Sequence, residues 1–182
     1  MATSARTTSE RAPLSPDRVF EAGIALADAH GLEALTMRRL AQELGVEAMS
    51  LYHHVANKDE LLDGMLDRVL GSIDLADAGT DWKAGIRRTA MSANQVLFAH
   101  PWAANLALSG PHLSDARIRY MDHVLGTLRR GGFTAEEADH AYHAIDGHIM
   151  GFTLWEIGIT TGLARLEGGV PAFLETFDGE TY

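Results

Sequence analysis

The chain has no cysteine among its 182 residues. Disulfide staples and thiolate metal sites are therefore excluded. Basic charge is scarce too: 15 Lys plus Arg face 25 Asp plus Glu, a formal net charge of −10. Taken whole, that balance speaks against a protein that coats polyanions indiscriminately. No apolar run approaches the roughly 20 residues of a membrane span. The N-terminus lacks a hydrophobic signal core, so a soluble cytoplasmic protein is the expectation. Strand signals are almost missing, because no stretch sustains apolar/polar alternation. Catalytic fingerprints are missing as well: there is no Gly-x-Ser-x-Gly elbow, Walker loop, dinucleotide fingerprint or His-Glu-x-x-His pair. Ser109 lies near His112 in "LALSGPH", but nothing in the sequence orients a base there. Neither an enzyme nor a cofactor is expected.

Helix is what the sequence holds. Apolar residues make up 46%, enough for a real core, and they recur at helical spacing. Ser15 before Pro16 is an N-cap with proline in the first turn. Val19, Phe20, Gly23, Ile24 and Ala27 then mark one face, and Gly31 ends the helix. Thr36 caps a short second helix with Leu40 and Leu44 inward, broken by Gly45. A third runs from about Glu47 to His54. Asn57 caps a fourth, with Glu60 at the capping-box position and Leu61, Leu62, Met65, Leu66, Val69 and Leu70 behind it. Further helices are predicted over 82–99, 101–108, 114–130 and 134–162, the last opened by a Thr134/Glu137 capping box. The expected fold class is all-α, with a disordered arm over 1–14, a three-helix DNA-binding domain over 15–60 and a helical bundle over 61–182. The charge divides unevenly, six basic against nine acidic residues in 1–60 and nine against sixteen beyond, so most of the acidity lies in the bundle.

Two short helices joined by a glycine-containing turn and braced by a preceding helix are a helix-turn-helix arrangement. Leu40, Ala41 and Leu44 face one way, and Leu51 and Val55 close that core from the next helix. Ala48, Met49, Ser50, Tyr52 and His53 are left turned outward, with His54 on the flank of Ser50. Small, hydroxyl and aromatic side chains fit a major groove. Met49 or Ala48 suits a thymine methyl, while Ser50, Tyr52 and His54 suit phosphate or base edges. Arg38 begins the preceding helix, and Lys58 sits in the first turn of the fourth, whose free N–H groups already favour phosphate. Over residues 36–58, Arg38, Arg39 and Lys58 outnumber Glu43 and Glu47. The overall acidity need not touch DNA. An exposed Tyr–His pair is equally what a plain solvated turn carries, so a helical interaction module without DNA binding is the alternative.

"LTMRRLAQELGVEAMSLYHHVANKDELLDGML" closely resembles the DNA-binding segment of the TetR family of one-component repressors. The matching features are Thr36 opening the second helix, Leu40-Ala41, Gly45-Val46, Leu51-Tyr52, His54, and Asn57-Lys58 before a leucine-rich helix. The resemblance implies DNA contacts at Arg38, Met49, Ser50, Tyr52, His54 and Lys58; Thr36, Ala48 and His53 complete the expected set. It also implies a homodimer that binds a palindromic double-stranded operator and releases it when a small molecule enters the bundle.

"RRGGFTAEEADHAYHAIDGHIMGF" is similar to the tetracycline-repressor branch of that family, but the drug-binding pattern is not kept. Thr89, Ala93, Ala107 and Gly110 stand where polar, aromatic and histidine ligands would be needed. A small hydrophobic or aromatic effector is expected instead, held by Met91, Asn94, Gln95, Phe98, Trp102, Asn105, Leu106, Met121, Val124 and His143. The same residue types also pack ordinary bundle cores. On the last predicted helix, Ala144, Gly147 and Gly151, with Trp155, mark a stripe where two backbones could approach closely, and a dimer interface is expected there. Asp139, His143 and Asp146 share a face by helical spacing, yet no metal site is expected from a polar stripe with no second cluster. "GGVPAFLETFDGETY" ends at Tyr182, where the resemblance leads one to expect a further helix, so the chain reads as truncated at its C-terminus.

Overall fold

The computed structural model describes residues 13–75, 79, 81–109 and 114–163. Most of the expected arm, Gly110, His112 and the segment after Leu163 lie outside the described residues. The fold is all-α. The helices are α1 (Pro16–His30), α2 (Met37–Leu44), α3 (Ala48–Leu51), α4 (Lys58–Gly71), α5 (Trp82–Ala99), α6 (Pro101–Leu108), α7 (Asp115–Arg130) and α8 (Ala135–Leu163), with one 3₁₀ turn at Leu32–Ala34. Among the described residues no helix is long and apolar enough to cross a membrane.

Side-chain caps punctuate these helices, at Ser15, Thr36 and Asn57 as the sequence predicts and at Asp81 and Ser114 besides. Ser15, Thr36, Asn57, Asp81 and Ser114 each accept the N–H three residues on, at 3.3, 3.1, 2.8, 3.1 and 3.3 Å. The box before α8 is reciprocal: Glu137 N–H donates to Thr134 Oγ1 at 3.2 Å, and Thr134 N–H to Glu137 Oε2 at 2.7 Å. Those hydrogen bonds from Thr134, backbone first, hold the Glu137 carboxyl below its ordinary range.

One element departs from expectation. The third helix is a single turn, Ala48–Leu51, rather than a run from Glu47 to His54. The N–H groups of His54 and Val55 both bond to the Leu51 carbonyl, at 2.8 and 3.0 Å. This tight exit drops Val55 beside Leu51 in the core, and α3 ends early to make that burial.

The N-terminal head packs α1, α2 and α3 around Val19, Leu35, Leu40, Leu51 and Val55, all buried. Its floor is α4. Phe20 of α1 lies directly on Gly64 of α4, where an added Cβ would overlap the ring, and the Arg68 guanidinium lies over the same ring, 5.0 Å from its centroid. Arg68 also pairs with Asp17. Leu61 and Met65 lie against Gly23 of α1, Leu70, Ile73 and Leu97 meet further along, and all belong to one core cluster with Val69, Val124 and Leu128. The division expected at residue 60 therefore meets an unbroken helix that belongs to both halves.

Two polar ties hold the halves together. Ala116 N–H, in the first turn of α7, donates to Asp67 Oδ1 of α4 at 2.7 Å. On the other side, Asp28 of α1 accepts from Trp102 Nε1 of α6 at 2.7 Å and stands 2.9 Å from His100 Nδ1.

Candidate nucleic-acid interface and bundle site

Gly45 makes the turn. At φ 67° and ψ 36° it sits in the left-handed region, and its N–H caps α2 through the Ala41 and Gln42 carbonyls. The Val46 N–H follows onto the Ala41 carbonyl at 3.0 Å, so α3 leaves α2 at a fixed angle. Leu40, Ala41 and Leu44 of α2 are buried against Leu51. Met49, 70% exposed, and Tyr52, 44% exposed, project from α3 and its exit with His53.

The expected outward set is not uniform. Ala48, Ser50 and His54 are half-buried, and Ala48 packs against the core. Ala48 lies three residues before Leu51 on the helix, so the two share an inner flank. Thr36 is exposed, with its hydroxyl engaged as the α2 cap. Arg38 is exposed in the first turn of α2, and Gln42, one turn further and also exposed, faces the same way. Sequence reasoning passed over Gln42, although i+4 spacing from Arg38 signals it. Lys58 is exposed as the first residue of α4. Asp59 and Glu60 share its turn; Glu60 Oε2 is engaged by the Ala56 N–H at 2.5 Å, which leaves it capping the helix rather than confronting a phosphate.

The ten bundle residues expected to hold an effector do not converge. Met91, 56% exposed, and Gln95 lie with Arg87 and Arg88 on an open groove beside α5. Phe98 is exposed. Trp102 is buried in its tie to Asp28, and Asn105 lies on the same α1–α6 side. His143 is exposed, its ring against the Asp139 carbonyl. Val124 is core, and Leu106 and Met121 are half-buried against it. Asn94 joins α5 to α8 by donating to Thr153 Oγ1 at 2.9 Å and Glu156 Oε2 at 3.4 Å.

An interior cavity lies elsewhere, between α4, α5, α7 and α8. Leu70, Ile73, Leu97, Arg117, Tyr120 and Met150 are among its walls, and its volume is about 10 Å³. That is room for about one water. Beside it Arg117 Nη2 of α7 donates to Asp146 Oδ2 of α8 at 3.0 Å. Burial, and then the Asp146 charge, push the Tyr120 phenol far above the ordinary tyrosine range and raise Tyr142 as well. None of the expected effector residues lines this cavity. Asp146 was read with Asp139 and His143 as one polar face; the structure turns it inward while the other two stay exposed 3.6 Å apart.

The outer face of α8 is open. Ala144, Gly147 and Gly151 are exposed, and among the described residues a Cβ at Gly147, Gly151 or Gly158 would meet nothing within 4 Å. Phe152, Trp155 and Ile159 stand out from the same helix, with Trp155 61% exposed.

A glycine-hinged pair of short helices on a braced head, joined by a shared helix to a bundle, defines a helix-turn-helix regulator of two halves. The model for bacterial regulatory proteins of the tetR family matches residues 19–65, and the model for the tetracyclin repressor-like C-terminal domain matches residues 75–175. The chain belongs to the TetR family of transcriptional regulators. It is 42% identical over 142 residues to the HTH-type transcriptional repressor DrrR1 of Streptomyces coeruleorubidus, covering 76% of this chain. It spans only about half of that curated relative, 52% of its length. The fold is similar to that of the Streptomyces coelicolor TetR family protein ActR in complex with actinorhodin, at a TM-score of 0.73, 30% identity, 86% of this chain and 81% of that one. It is likewise similar to BioQ with its double-stranded DNA operator, at a TM-score of 0.71, 30% identity, and 80% and 89% of the two chains.

Proposed function

We propose that this chain acts as a ligand-responsive repressor, binding a palindromic duplex as a homodimer and releasing it when a small hydrophobic or aromatic molecule enters the bundle. The observation that carries the reading is the α2–Gly45–α3 unit, which leaves Arg38, Met49, Tyr52 and His53 exposed, with Lys58 exposed at the start of the next helix. Lys58 and Tyr52 anchor the phosphate backbone. Arg38 and Met49 read sequence. The operator in the BioQ complex and the actinorhodin in the ActR complex support this division of labour between head and bundle.

The open glycine and aromatic face of α8 supports pairing of that helix across a two-fold axis. Such a dimer sets the spacing of two recognition helices, and half-sites about 34–36 Å apart accept only one spacing. A molecule in the cavity that displaces Leu70 moves α4, whose far end carries Lys58. Induction is then a shift toward a spacing the operator does not fit.

Selection of bound duplexes from a random library is the test. Enrichment of a palindrome is expected, and Lys58→Ala should weaken all duplexes about equally while reducing the salt slope by about one. Failure to enrich any sequence, with no salt-dependent mobility shift, would favour a helical interaction module instead.

A further inference from the structure

We propose that Met49 is a modification site: a two-electron oxidant of the peroxide or hypohalous-acid class converts its thioether to the sulfoxide, and operator affinity falls. This rests on the reading that α3 faces DNA. The chain has no cysteine, so no thiolate competes for such an oxidant, and methionine sulfur is its first target. The methionines differ in access. Met65 and Met150 are buried, and Met37 and Met121 are half-buried against the core. Met49 is 70% exposed and Met91 56%. These two lie in different halves of the molecule, Met49 on the turn that follows Gly45 and Met91 on the open groove beside α5.

The step balances with the oxidant alone. A sulfur lone pair attacks the oxygen of hypochlorous acid, the S–O bond forms as the O–Cl bond breaks, and chloride and a proton leave. With hydrogen peroxide the O–O bond breaks instead, and the departing hydroxide takes the proton and leaves as water. In each case sulfur gives up two electrons and the oxidant takes them. The product replaces a soft apolar group by a dipole with a strong acceptor oxygen. Against a thymine methyl that oxygen has no donor, and losing its water is costly. On Met91 the same oxygen stays in solvent, away from α2 and α3.

The modification spares the fold. Met49 is not part of the core cluster, and its carbonyl, bonded to the Tyr52 N–H at 3.2 Å, holds the turn whatever the state of the sulfur. Oxidation therefore acts on the DNA-facing surface of a folded head, and reductases that act on methionine sulfoxide reverse it. Such a repressor yields to an oxidant without any molecule entering the bundle.

The test treats the 182-residue chain with graded hypochlorous acid or hydrogen peroxide and maps the added oxygen by peptide mass spectrometry. Met49 and Met91 should react before Met37, Met65, Met121 and Met150. Partly oxidised wild type is then passed over the duplex enriched from the random library. Met49 sulfoxide should collect in the unbound fraction, while Met91 sulfoxide divides evenly. Oxidised chain should bind that duplex about ten-fold more weakly than untreated chain, the scale of one polar group left unpaired. Methionine sulfoxide reductases should restore the affinity, and circular dichroism should not change. Met91→Leu should lose as much on oxidation as wild type. Met49→Leu, compared with its own untreated affinity, should lose less than about two-fold, since no such oxygen can form there. Oxidation of a buried methionine ahead of Met49, even division of Met49 sulfoxide between the fractions, or a full loss persisting in Met49→Leu would each overturn the proposal. If untreated chain binds no duplex, the DNA reading of α3 fails and this proposal with it. A duplex held equally before and after Met49 is oxidised overturns the proposal alone.

Discussion

Gly64 on α4 and Gly151 on α8 are both glycines inside long helices, and they stand in opposite surroundings. At Gly64 the missing side chain is filled by the Phe20 ring, so the seam between α1 and α4 closes tighter than any other residue would allow. At Gly151 an added Cβ would meet nothing within 4 Å among the described residues, and exposed Phe152 and Trp155 lie alongside. The first glycine has its partner within the chain. The second leaves a helix face bare among the described residues, where glycine weakens the helix by about 1 kcal/mol relative to alanine with no compensating contact from them. Equal residues can therefore mark a finished interior and an unfinished one.

Substitution separates the two. Gly64→Leu drives a side chain into Phe20 and should cost about 1–3 kcal/mol by overpacking. The melting temperature should fall by roughly 3–10 °C, with DNA affinity lost as α1 is prised from α4. An unchanged melting curve would mean that the α1–α4 seam is looser than described.

A step below that in size, Asp28→Ala strands the buried Trp102 indole N–H and removes the acceptor facing His100. Leaving a buried donor unpaired costs about 1–3 kcal/mol, read as a lower urea midpoint. Trp102→Phe, which removes donor rather than acceptor, should cost less. Equal losses would indicate that packing rather than the hydrogen bond holds α1 to α6.

Gly151→Leu is expected to act in the other direction on the single chain, strengthening α8 by about 0.5–1 kcal/mol through helix propensity. On the proposed dimer it should raise the dissociation constant in light scattering over a concentration series. A tight dimer undisturbed by the substitution would remove α8's bare face from the interface.

The smallest effect is expected at Glu137, outside both seams. Its carboxyl is held below the ordinary range by hydrogen bonds from Thr134, so its ionised form stabilises the folded chain above the unfolded carboxyl value. That contribution disappears as pH falls through the lower folded value. Glu137→Gln should therefore be slightly less stable than wild type near neutrality, and the two should converge in acid. A gap that persists at low pH would assign the effect to shape rather than charge.

How much of this could be read in advance depended on distance along the chain. The head's caps, its glycine turn and its buried leucines all lie within the stretch from Ser15 to Leu61, where periodicity and turn chemistry act locally, and they were legible. Even there α3 was read too long, since the double use of the Leu51 carbonyl is a tertiary demand of Val55. The bundle cavity takes Leu70, Leu97, Arg117 and Met150 from four helices, and no local pattern joins them. Met91 and Phe98 look like pocket residues in sequence because exposed and buried apolar side chains share the same spacing. Asp146 was grouped with its neighbours on α8 because the sequence does not show Arg117 waiting on α7.

The unbroken course of α4 has a thermodynamic consequence. Leu61, Met65, Val69 and Leu70 all belong to one hydrophobic cluster that runs from head to bundle along the same run of backbone hydrogen bonds. Opening either half frays the helix that supports the other, so the two should melt as one cooperative unit rather than as beads on a string. Amide hydrogens in the middle of α4 should then exchange only through global unfolding, more slowly than those of α2 or α6. Heat, denaturant or a destabilising substitution in the bundle would thereby silence the head without touching a single side chain of its proposed DNA-binding edge.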